Sequence, residues 1–330
     1  MLVRSLDKSH LQNLIRAKTG KDSNATDLNS LYKEVYLLNL STTNLVDFIR
    51  SEYPRVREAR KKIEESLPEL VRDFGEVRCG LRNDRVDDLV KELVRDKSIK
   101  TRGDLEEAIK TRVVSKIQDY ALWSFFNQVT NDLIEHFFND HRSVVPTLRK
   151  IPNVDFFMEL NGKVTPFDLK ITHISEDFFD MYSLGMKPVQ DGTDSYVVTS
   201  KSEKCTSERE KLGSIYKKIK KELELPNMAQ QSKAELLENL NKANISKETQ
   251  TELNKLLVSR QMMTNNIVRD AGPLEYWNYK MQGERLFCNN NRFFVFLAYE
   301  NSFEDARPLK GKLEAIATKV KRPLVIPCGS

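Results

Sequence analysis

One tight hairpin between residues 151 and 172 constrains this chain more than any other feature. The dipeptide Asn161-Gly162 separates two runs in which apolar and polar residues alternate, which is the strongest short-range signal for a β-hairpin. A type I′ turn needs a positive φ at both central residues, and these two residue types tolerate it. A two-residue loop also fixes the strand register. The sequence therefore predicts that Asp155 faces Asp168.

The predicted register sorts the side chains of the hairpin onto two faces. The face that carries Asp155, Asp168 and Lys170 holds two carboxylates that repel each other, so a buried hairpin keeps them only with a cation between them. Hard oxygen ligands at this spacing suit Mg²⁺ or Mn²⁺ better than Zn²⁺. Pro166 cannot donate to a strand ladder, and a bulge there would break the direct opposition. The other face is apolar and is expected to be the core side: Val154, Phe156, Met158, Leu160, Phe167, Leu169 and Ile171.

These residues resemble the catalytic hairpin of the PD-(D/E)XK nuclease superfamily, to which most type II restriction endonucleases belong. The pattern there is Pro-Asp, a spacer, and then Asp or Glu, any residue and Lys. Here Pro152 lies three residues before Asp155 instead of next to it. The second half matches as Asp168-Leu169-Lys170, which is the only Asp/Glu-x-Lys triplet in the chain.

The resemblance implies a Mg²⁺-dependent endonuclease that cleaves double-stranded DNA at a short specific sequence, as a type II restriction enzyme does, and leaves 5′-phosphate ends. It implies that Asp155 and Asp168 hold the metal ion, for which Mn²⁺ can substitute, and that Lys170 positions the attacking water. A palindromic target would also imply a two-fold homodimer.

Residues 104 to 138 carry the longest helical apolar stripe, which predicts a long helix just before the hairpin. The first helix of the superfamily lies at this place and often supplies a further acid. Asp119, Asp132 and Glu135 are the candidates, and Glu135 is favoured. The alternative for each is an ordinary solvated surface acid.

The whole chain is expected to have an α/β fold, in which helices flank a mixed β-sheet of the restriction-endonuclease-like type. We expect a helical N-terminal region over residues 1–103 and a nuclease core over residues 104–330, with a helical insertion at about residues 201–265. Residues 272–300 are predicted to return to β character, and the apolar run within them to form a central buried strand. A last short strand is expected at residues 322–327.

Composition sets limits on the function. The 330 residues carry a net charge of +5, which is compatible with a nucleic-acid partner. The four cysteines show no zinc spacing and no disulfide framework, and no run approaches the roughly 18 apolar residues of a membrane span, so a cytoplasmic protein is expected. No P-loop, H-E-x-x-H or G-x-S-x-G motif is present.

Two alternatives stay open at this point. One is another PD-(D/E)XK nuclease, acting in repair, phage defence or mobile elements. The other is a non-catalytic helical DNA-binding protein in which the acids of the hairpin are surface charge.

Overall fold

A computed structural model describes most of the chain as a mixed α/β protein. The described residues are 1–65, 92–188, 196–198, 206–220, 223–228, 231–282 and 291–321. They fall into two compact units. The first comprises Met1–Lys170, Phe287–Phe293 and Lys310–Ser330, and the second comprises Ile171–Leu286 and Phe294–Leu309.

Four strands form one mixed sheet, in the order β1-β2-β3-β6. Strand β1 pairs antiparallel with β2, and β2 pairs antiparallel with β3. Strand β6 lies parallel to β3, because hydrogen bonds from Asp168 N to Asn291 O and from Ile174 N to Leu297 O advance along both strands together. A separate antiparallel pair joins β4 and β5. The bounds are β1 Val144–Ile151, β2 Val154–Leu160, β3 Lys163–His173, β4 Met186–Pro188, β5 Tyr196–Val198 and β6 Arg292–Leu297.

The turn between β2 and β3 has the predicted conformation. Asn161 has a φ of 51° and Gly162 a φ of 74°, so both central residues are left-handed, as a type I′ turn requires. Asn153, with a φ of 60°, makes the similarly tight connection from β1 to β2. Three consecutive strands are therefore joined by two-residue turns, although the register between β1 and β2 shifts between Pro146 and Ile151.

The predicted register of the hairpin is confirmed. Five consecutive residue pairs keep the same register, from the turn to Phe156 opposite Phe167. Pro166 lies within this stretch, and the pairing passes it without a bulge. The paired stretch ends there, and at the next step the N–H of Leu169 donates to the Asp155 carboxylate, so Asp155 lies beside the segment that carries Asp168.

Both faces of the hairpin are buried, so the expectation of a single core face is wrong. On the predicted core side, Phe156 stacks on Phe138 and Phe167 with ring centroids 5.6 and 5.7 Å apart. On the side that carries the two acids, Phe157 is fully buried as well. It belongs to a core that the N-terminal helices form with β1 and β2.

The described part of the predicted N-terminal region is helical, as expected, and the predicted long helix before β1 is present. Residues 66–91 lie outside the described residues, and the division at residue 103 stays a prediction. The helices of the first unit are α1 Lys8–Thr19, α2 Leu28–Leu37, α3 Thr42–Glu64, α4 Arg102–Ala108 and α5 Ser115–Asn139, with a π-helical segment Ile109–Val114 between the last two.

The described part of residues 201–265 is helical, as expected, and its being an insertion stays a prediction. A buried ionic cluster joins it to Glu176: Lys233 is 2.7 Å from Glu176, and Arg260 is 2.6 Å from both Glu176 and Glu208. The helices of the second unit are α6 Glu176–Ser183, α7 Glu208–Lys220, α8 Lys233–Lys242, α9 Lys247–Arg269 and α10 Gly272–Gln282, and α11 Leu313–Val320 belongs to the first unit. No helix within the described ranges is long and apolar enough to cross a bilayer.

One strand prediction near the C-terminus is wrong, and another is confirmed as a strand but not as a central strand of the described sheet. Helix α10 occupies Gly272–Gln282, where β character was expected. Pro273 suits a first helical turn, and the buried residues Leu274 and Asn278 recur at the i, i+4 spacing of a helix. Strand β6 is present, but it lies at one end of the described sheet instead of at its centre. The strand predicted at 322–327 falls outside the described residues.

Candidate active site

The hairpin brings Asp155, Asp168 and Lys170 together. The Lys170 ammonium donates a hydrogen bond to Asp168 Oδ1 at 2.7 Å. Asp155 Oδ2 accepts a hydrogen bond from the backbone N–H of Leu169, the residue between the other two, at 2.6 Å. All three side chains thus converge on the same point of β3, as the register predicts.

Only one of the two oxygens of the Asp168 carboxylate has a hydrogen-bond partner among the described residues. Its side chain is 4% exposed, whereas that of Lys170 is 22% exposed. Asp168 Oδ1 is bound by Lys170, but Oδ2 is buried and has no hydrogen-bond partner among the described residues. A buried oxygen that lacks a partner is costly, and for a carboxylate a cation is the natural way to remove that cost. The donor set therefore fits a bound metal ion.

Asp155 lies in an environment that disfavours its charge. Burial is the largest effect and raises the pKa of its carboxyl, and the negative charge of Asp168 raises it further. The N–H of Leu169 and the charges of Lys170 and Lys150 oppose this rise. The net effect is upward, so the charged form of Asp155 is disfavoured by its surroundings.

Glu135 on α5 belongs to the same electrostatic site. Burial raises the pKa of its carboxyl to about 7, and the charge of Asp155 contributes to the rise. The positive charges of Arg60 and Lys150 oppose it. A carboxyl with this pKa changes charge near neutral pH, which is the range in which a proton acceptor works best.

The other two acids proposed on α5 have different surroundings. Asp132 Oδ1 forms an ion pair with Lys150 at 2.8 Å. Asp119 lies 16 residues before Glu135, which corresponds to about 24 Å along a helix. Of the three acids, Glu135 is the one whose pKa is raised by the charge of Asp155, and the charge of Asp132 adds to that rise.

Two buried polar residues that the sequence did not single out hold the site in place. Asn139, at the end of α5, donates from Nδ2 to the backbone oxygens of Asp155 and Glu135, each at 3.0 Å. Its Oδ1 accepts from the N–H of Thr147 at 2.8 Å, and the Thr147 hydroxyl donates to Asp155 O at 3.2 Å. Arg60 of α3 donates to Thr147 O at 3.0 Å. In the sequence, these contacts are signalled only by two polar residues, Asn139 at the end of α5 and Thr147 within β1.

The described residues offer few side-chain ligands for a metal ion. Within the described part of the chain, no group of three or more His, Cys, Asp or Glu side chains could hold a metal ion. Mg²⁺ does not need such a group, because it keeps several waters and is usually held by one or two carboxylates together with phosphates of the substrate. Two opposed aspartates suit Mg²⁺ better than a zinc site, which needs three or four protein ligands.

No family model, curated protein or solved structure matches this chain. The geometry of the site and the short motif that forms it are therefore the basis on which a function can be proposed.

The raised pKa of Glu135 predicts how stability depends on pH. Because the folded pKa of about 7 exceeds the ordinary value of 4.5, the folded state holds the proton more tightly. The stabilising contribution is complete below pH 4.5 and is lost as the pH rises through 7. Replacing Glu135 with glutamine should raise the free energy of unfolding at pH 8 without divalent ions, by up to about 2 kcal/mol after allowance for solvent screening. The gain should shrink towards pH 5.

Urea unfolding in EDTA at pH 5 and pH 8 measures this effect. Glu107→Gln removes one carboxylate from an exposed position of α4 and is the matched control. A loss of stability at pH 8 on replacing Glu135, or an equal change at both pH values, would contradict the prediction.

Proposed function

We propose that this protein is a Mg²⁺-dependent endonuclease that hydrolyses phosphodiester bonds of double-stranded DNA, of the restriction-endonuclease-like class. The observation that supports this best is the buried Asp168 carboxylate, with one oxygen bound by Lys170, the other without a partner among the described residues, and a charge that acts on Asp155. The type II restriction enzyme is the specific form we propose, with a homodimer on DNA as the working assembly.

Asp155 and Asp168 are the residues that would hold Mg²⁺, and Mn²⁺ should substitute because it accepts the same oxygen ligands. When bound, the ion supplies Lewis-acid polarisation of the phosphate and neutralises charge on the leaving oxygen. Each carboxylate is held in place by one donor: the Leu169 N–H binds Asp155, and the Lys170 ammonium binds Asp168.

Lys170 and Glu135 provide the proton chemistry. The Lys170 ammonium is partly exposed and is fixed by Asp168. It orients the attacking water by donating a hydrogen bond to a lone pair of the water oxygen. Glu135, with a pKa of about 7, takes the proton that this water releases. The new bond joins the water oxygen to phosphorus and the bond from phosphorus to the 3′ oxygen breaks. The departing 3′ oxygen takes a proton from solvent water, and the products are a 5′-phosphate and a 3′-hydroxyl.

Plasmid digestion tests the proposal directly. The purified protein is incubated with supercoiled plasmid in Mg²⁺, in Mn²⁺ and in EDTA, and the fragment ends are sequenced. We expect discrete fragments with 5′-phosphate ends in either metal and none in EDTA. A set of ends that share one short sequence supports a restriction enzyme, whereas scattered ends support another nuclease of this class.

Absence of cleavage in all metals, together with unchanged metal binding after replacement of Asp168, would refute the enzyme proposal. A non-catalytic DNA-binding protein would then remain.

A further inference from the structure

Lys150 is the most exposed of the three cations whose charges act on the carboxylates of the site. Its side chain is 66% exposed, compared with 22% for Lys170. Arg60 is half-buried and already donates to Thr147 O. Lys150 has only Asp132, at 2.8 Å, as an ion-pair partner among the described residues, and Asp132 is itself 35% exposed.

The position of Lys150 places its ammonium at the border of the site. It is the residue before Ile151, which pairs with Val154, and Asp155 follows directly. Asp132 lies three residues before Glu135 on α5, so the two acids share one face of that helix. The positive charge of Lys150 opposes the rise in the pKa values of both Glu135 and Asp155.

We propose that Lys150 binds a backbone phosphate of the DNA next to the cleaved one, and that Asp132 holds the lysine in position until DNA replaces it. This inference rests on the proposed nuclease function. Ion pairs between exposed side chains contribute little to stability, so the exchange of a carboxylate for a phosphate costs little. A phosphate contact also releases condensed counterions from DNA, which favours the exchange.

The exchange has consequences for binding that can be measured without cleavage. Loss of one phosphate contact should weaken DNA binding about three- to tenfold at low salt and should reduce the slope of log K against log salt by about 0.9. If Asp132 competes with the phosphate, Asp132→Asn should tighten binding. The loss caused by Lys150→Met should then be larger in the Asp132→Asn background than in the native one.

Fluorescence anisotropy with a labelled 30-base-pair duplex of mixed sequence, in EDTA over a salt series, measures these quantities. Lys163→Met is the matched control, since Lys163 is an exposed lysine beside the turn of the same sheet. It should leave affinity and slope close to the native values. Lys150→Arg should retain most of the affinity, because it keeps the charge at that position.

The outcomes separate this inference from the proposed function. If the native protein cleaves plasmid but Lys150→Met binds the duplex with unchanged affinity and slope, the role of Lys150 is refuted and the nuclease proposal stands. Equal losses for Lys150→Met and Lys163→Met would also refute it, because they indicate only a change in net charge. If the native protein neither binds the duplex nor cleaves plasmid, the nuclease proposal itself fails.

Discussion

Replacing Asp168 with asparagine is expected to abolish metal-dependent cleavage, with a loss of about a thousandfold or more. The reason is that the substitution keeps the shape of the side chain but removes the charge of a metal-binding oxygen, and the metal is worth several kcal/mol of transition-state stabilisation. Mn²⁺ binding measured by calorimetry should fall in parallel. The fold should persist, because asparagine can still accept a hydrogen bond from Lys170 through its amide oxygen.

Glu159→Gln is the control for the Asp168 substitution. Glu159 lies on the same hairpin but is exposed, with a side chain that is 54% accessible. Its replacement should change neither cleavage nor metal binding. Retention of native cleavage or native Mn²⁺ affinity by Asp168→Asn, with the fold verified by circular dichroism, would refute the assignment of Asp168 as a metal ligand.

The hairpin could be predicted from the sequence because its geometry is local. Asn161 and Gly162 specify the turn, and the turn specifies which residues face each other, so the pairing from Leu160/Lys163 to Phe156/Phe167 follows without any long-range information. The presence of Pro166 made a bulge plausible, but its pairing position tolerates a missing N–H and the register continues past it.

Strand β1 was not predicted because its sequence contains a contrary signal. Pro146 interrupts the apolar run from Val144, and proline is normally absent from central strands. Its position is acceptable here because β1 lies at one end of the described sheet order. Without β1, the roles of Thr147 and Lys150 could not be foreseen.

The buried face beneath the acids also required tertiary information. Alternation along β2 assigns Phe157 to the polar side, and only the packing of the N-terminal helices against that side explains its burial. The same packing brings Arg60 of α3 to Thr147. Glu135 was favoured among three candidate acids because the helix before the hairpin often supplies a further acid in the superfamily, and its raised pKa depends on burial and on Asp155, which no local pattern encodes.

Replacing Lys170 with methionine is expected to lower the cleavage rate by about 10²- to 10³-fold, the loss typical of removing one preorganised donor from a transition state. Metal binding should respond in the opposite way to that of Asp168→Asn. The ammonium now neutralises Asp168 at 2.7 Å, so its removal leaves the carboxylate free for a cation and Mn²⁺ affinity should be kept or increased. Single-turnover plasmid cleavage and calorimetry with Mn²⁺ measure the two effects.

A lysine that positions water should lose cleavage but keep metal binding, whereas a metal ligand should lose both. The two measurements together are therefore more informative than activity alone. Lys163→Met, at the exposed start of β3, controls for the loss of one positive charge and should behave as the native protein does. If Lys170→Met lost Mn²⁺ affinity to the same degree as Asp168→Asn, Lys170 would be needed to shape the carboxylate site, and its role towards water would be refuted. If it cleaved at the native rate, the ammonium would have no part in the chemistry, and the match to the Asp-x-Lys motif would be fortuitous.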